Sequence, residues 1–131
     1  MGAWGAGAFE NDTAGDFCWS VTDGGGLAAI EDAFAHVLEA DDEDLEAPAA
    51  EEAIAAAAIV ARLKDGAPLD DGLEAWIARE KPAVSPSLIA MARVALQRIV
   101  TPPSELLDLW QESDDDAAFR SGIESLLRRL G

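Results

Sequence analysis

Asn11, Asp12 and Asp16 are the polar residues of this chain with the clearest capacity for chemistry. Asp12 and Asp16 are four apart, so a helix puts both carboxylates on one face, where like charges cost ~0.2–0.5 kcal/mol unless a cation or an arginine pairs them. One reading is a small divalent-cation or ligand site, or a hydrolase site, with Asp12, Asp16, Glu51 and Glu105 as the candidate metal ligands and Glu52 as a further carboxylate. The other is capping of a first helix by Asn11 or Asp12, with a distant arginine as the ion-pair partner.

Other chemistries lack their residues. Nucleophilic triads need a base, and the single histidine, His36, lies off the apolar stripe of its own segment. No Gly-x-Ser-x-Gly elbow is present. Cys18 has no basic neighbour in sequence to favour its thiolate, and it reads as a small core residue. One Cys and one His cannot build a zinc site. The acidic run Asp41–Glu46 superficially resembles a calcium loop, yet counting from Asp42 puts Ala47 where the sharp turn needs glycine and Ala53 where the bidentate glutamate belongs. Gly2, Gly5 and Gly7 follow no strand and spell neither a dinucleotide fingerprint nor a P-loop. No cofactor is expected and no catalytic residue is assigned.

Charge narrows the partners. The 131 residues carry a net charge of −17, with 14 acids and no Lys or Arg in residues 1–61 and all nine bases in residues 62–131. A one-sign field of this kind repels nucleic acid and anionic membrane and attracts basic partners or cations; it also serves solubility alone. The longest apolar run, Ala53–Ala61, falls far short of the ~20 residues a spanning helix needs. A lone cysteine and an N-terminus without a signal-peptide pattern point to the cytoplasm.

These residues must be positioned by helices, because no stretch alternates with period two. The spacing predicts a short helix from Asn11 or Asp12 to Ser20, ended by Gly24-Gly25-Gly26, then a helix over about 27–40. Pro48 starts a third, over 49–64, with Ile54, Ala57, Val60 and Ala61 inward, closed by Gly66. Pro68 opens a fourth, through about Glu80. Ser85-Pro86 is a cap and first-turn pair for a fifth. Ser104 or Thr101 caps a sixth carrying Trp110, and Ser113 precedes the last. The expected fold is all-α: a single domain over 1–131, built as an irregular antiparallel bundle of six or seven helices behind a non-helical lead-in whose Trp4 and Phe9 dock on the body.

The opening Trp4-Gly5-x-Gly7-x-Phe9-Glu10-Asn11-Asp12, followed by Asp16-Phe17, resembles the start of a group of small bacterial proteins, the domain of unknown function 4259 family. Glu51-Glu52-Ala53 through Ala61, and Ser104 through Trp110, fit it as well. Phe17 and Phe119 stand where that family usually has Trp, and Ala58 where a Glu is common. The resemblance implies an all-helical fold and no assigned activity.

The leading functional expectation is thus a non-enzymatic acidic protein that binds a basic protein partner, in the manner of immunity proteins or DNA mimics. The alternative is the carboxylate site at Asn11, Asp12 and Asp16. A homo-oligomer with Trp4, Trp76 or Trp110 at its interface is a third reading.

Overall fold

Alanine is small enough for neighbouring helices to approach closely from every side, and the run Ala53–Ala61 uses this all round. The structure, a computed structural model, describes residues 12–40, 45–67, 69, 71–113 and 116–131. They form α1 (Asp12–Ser20), α2 (Gly26–Glu39), α3 (Ala47–Asp65), α4 (Asp71–Glu80), α5 (Pro86–Ile99), α6 (Glu105–Gln111) and α7 (Asp116–Leu130), with a five-residue π-helical segment, Val21–Gly25, between α1 and α2. The fold is all-α, and no strand occurs among the described residues. The expected lead-in, with Trp4, Gly5, Gly7, Phe9 and Asn11, lies outside them.

Helix α3 is the axis of the bundle and packs against α1, α2, α5, α6 and α7. Every residue from Ala53 to Ala61 is buried, none more than 9 % exposed. Ile54, Ala57, Val60 and Ala61, expected to face inward, are buried, and so are the residues between them. A helix apolar on all sides is buried on all sides, and small side chains permit the short interaxial distances this needs. Phe34, Ile30, Leu96, Ile99, Leu107 and Leu130 supply bulk from the surrounding helices, and the buried side chains form one continuous cluster.

The caps follow local chemistry. Ser85 Oγ accepts the N–H of Leu88 at 3.1 Å, with Pro86 opening the first turn of α5. Ser104 Oγ accepts the N–H of Leu107 at 3.4 Å, so Ser104 rather than Thr101 caps α6. Thr101 instead donates its hydroxyl to Gln97 O at 2.7 Å. Gly66, at φ 80°, closes α3 in the left-handed conformation.

The three glycines close the segment that follows α1 and open α2. They carry the chain through a kink, with Gly24 at φ 117° and Gly26 at φ 56°, conformations that L side chains rarely adopt. Gly25 is required for another reason: a Cβ there would lie 2.7 Å from Ser20 O and 3.0 Å from Ala29 Cβ. No helix among the described residues is long and apolar enough to cross a membrane.

Candidate functional site

Helix α1 buries Ala14 and Phe17, and the π segment buries Val21. That spacing turns the opposite side of the segment outward. Asp12, Asp16, Trp19 and Asp23 are all exposed, and steps of four and three residues place Asp12, Asp16 and Trp19 along one side of α1. Trp19 is 67 % exposed. It was missed as a functional candidate, although its position off the Ala14–Phe17–Val21 stripe was a readable signal.

Asp12 and Asp16 make no side-chain hydrogen bond or ion pair among the described residues. Glu31, Asp32 and Glu39 extend the exposed acidic surface along α2, where His36 is exposed as well. The three ion pairs among the described residues take their acids from elsewhere: Arg62–Glu74 at 2.7 Å, Arg129–Asp65 at 2.7 Å and Arg120–Asp116 at 3.3 Å. The distant arginine expected to pair Asp12 and Asp16 is therefore not found among the described residues. Arg79 reaches this end of the molecule, but its Nη2 donates to a backbone oxygen, Thr22 O, at 3.3 Å.

The four candidate metal ligands are used in different ways. Asp12 and Asp16 stand exposed on α1. Glu105 is committed to backbone: its Oε1 accepts the N–H of Ala47 at 2.7 Å, at the N-terminus of α3. Glu51, half-buried on α3, has its carboxyl pushed above the ordinary range by burial. Glu52, beside it, is also half-buried. Among the described residues no group of three or more His, Cys, Asp or Glu is placed to hold a metal ion. Cys18 is half-buried and engaged within the structure.

Two tryptophans expected at an oligomer interface are core residues. Trp76 is 3 % and Trp110 7 % exposed. Trp110 stacks on Phe119, centroids 5.8 Å apart and planes within 9° of parallel, so Trp110 is an anchor of α6 on α7.

Arg62, Lys64 and Arg129 fasten the bundle. Glu74 accepts Nε and Nη2 of Arg62, each at 2.7 Å, and the Leu69 N–H at 3.0 Å; the Arg62 hydrogen bond first, then the Leu69 N–H, hold its carboxyl down to about 2. Asp65 accepts Arg129 at 2.7 and 3.0 Å and the Ala67 N–H at 3.0 Å, and it too is held down to about 2, chiefly by Arg129. Lys64 Nζ donates to Leu130 O at 2.7 Å, tying the end of α7 to α3.

No curated protein and no solved structure matches the chain. The family model described as "Domain of unknown function (DUF4259)" matches residues 2–122, nearly the whole sequence, and the chain belongs to that family.

Proposed function

We propose that this is a non-enzymatic interaction protein whose acidic α1–α2 surface binds a basic protein partner, as immunity proteins and DNA mimics do. The observation that carries this reading is Trp19, exposed on α1 between Asp16 and Asp23, whose carboxylates no base of the described residues neutralises. An exposed tryptophan is costly to leave in water and is among the residues most enriched at binding hot spots. Carboxylates around it select arginine, which stacks on the indole face while its guanidinium pairs with acid. The net charge of −17 adds long-range attraction for a basic surface.

The cation-site alternative gains no support from the described residues, because Glu105 caps a helix and the remaining carboxylates form no ligand group. The test is affinity capture on the immobilised full chain at low salt and at about 0.5 M salt, where the screening length falls to several ångströms. A basic protein retained at low salt and released at high salt is expected. Capture with no salt dependence would overturn the reading.

A further inference from the structure

The kinked segment between α1 and α2 forms one side of an open groove of about 310 Å³, lined by Gly24, Gly26, Leu27, Trp76, Glu80 and Pro82. The volume lies at the lower end of the ~300–1,000 Å³ typical of ligand sites, so it suits a single side chain rather than a large cofactor. Leu27, Trp76 and Pro82 provide apolar walls. Gly24 and Gly26 are held at positive φ, and the space where their side chains would project is empty. Glu80 is the charged group of the lining; it is exposed and makes no ion pair among the described residues. Asp23, next to Gly24 in the chain, is exposed and unpaired in the same sense. Arg79, which precedes Glu80, is occupied by Thr22 O.

We propose that this groove seats an arginine side chain of the basic partner, with the aliphatic stem against Leu27 and Pro82 and the charge paired with Glu80. Charge complementarity selects the occupant. A groove with apolar walls and an exposed carboxylate in its lining accepts a long cationic side chain, and planar guanidinium suits a two-oxygen acceptor better than ammonium does. The proposal rests on the reading that the acidic surface binds a basic partner, and it assigns one contact within that surface.

The test is an NMR titration of the full chain with the peptide acetyl-Gly-Arg-Gly-amide, and with its lysine counterpart, at millimolar concentration. Saturable shifts of the Gly24, Gly26 and Leu27 amides and the Trp76 indole N–H are expected, with arginine binding more tightly than lysine. Glu80→Gln, an exposed change that leaves the core intact, should weaken binding roughly threefold or more, the scale of an exposed ion pair. Lys81→Gln should tighten it, because a neighbouring positive charge is removed. Shifts confined to Asp12, Asp16, Glu31 and Asp32, with the groove silent, would overturn the groove and leave the acidic-surface reading standing. Groove shifts of equal size in wild type and Glu80→Gln would overturn the role of the carboxylate. A salt-independent capture result overturns the parent reading separately.

Discussion

Glu105 Oε1 accepts the backbone N–H of Ala47 at 2.7 Å, so a carboxylate at the start of α6 caps the start of α3, 58 residues earlier. Leu45 and Ser104 form a parallel bridge beside it, with Glu105 N donating to Leu45 O at 2.8 Å and Leu45 N to Pro103 O at 3.3 Å. A negative charge at a helix N-terminus is favoured by the macrodipole, and α3 has no side-chain cap of its own. Glu105→Ala is expected to cost about 1 kcal/mol, the scale of a lost N-cap. Glu105→Gln should cost less, because an acceptor remains. Urea unfolding monitored by circular dichroism reads both, and an unchanged midpoint for Glu105→Ala would show that the cap contributes nothing.

Two glycines in neighbouring segments should respond in opposite directions. Gly15, inside α1, has open space around an added Cβ, so Gly15→Ala is expected to stabilise by about 0.5–1 kcal/mol through helix propensity. Gly25→Ala drives a methyl group into Ser20 O and Ala29 and should destabilise by about 1–3 kcal/mol, as overpacking does. Thermal midpoints of the two variants against wild type decide the matter. Equal shifts of the same sign would contradict the close approach at Gly25.

The pH dependence divides into two parts of opposite sign. Asp65 and Glu74 have carboxyls lowered to about 2 from 3.8 and 4.5. Their pairs with Arg129 and Arg62 therefore stabilise the fold fully above about pH 4.5 and are lost as pH falls toward 2. The stability gap between wild type and Glu74→Gln should narrow across that window. Glu51 is raised by burial, so its ionised form destabilises the fold at neutral pH and protonation removes the cost. Glu51→Gln should raise the midpoint at pH 7 and make no difference below the ordinary glutamate range. A Glu51→Gln variant less stable than wild type at pH 7 would contradict the burial argument.

These residues also show what a linear reading captures. Ser85-Pro86 and Gly66 act within a few residues of themselves, so their roles are visible in sequence. The all-round burial of α3 has its signal in the unbroken apolar run Ala53–Ala61 rather than in a stripe, and the five neighbouring helices that cover it are set by the fold. The cap from Glu105 is hidden by its separation of 58 residues from Ala47. Glu105 was a plausible cation ligand by residue type, yet the fold commits it to backbone. Trp19 carried a signal in its spacing from Phe17 and Val21. Trp76 and Trp110, proposed for an interface, instead fill the core.

The central claim is that one face, and not net charge alone, recruits a basic partner. Two variants with the same change in charge separate the two. Asp12→Asn/Asp16→Asn/Asp23→Asn neutralises the surface around Trp19, whereas Asp108→Asn/Glu112→Gln/Glu124→Gln removes as many exposed charges from α6, its C-terminal end and α7. The decisive measurement is the affinity of the captured partner for wild type and both variants at one fixed low salt concentration. The account predicts a strong loss for the α1-side variant and near wild-type affinity for the other. Equal losses for the two would contradict it.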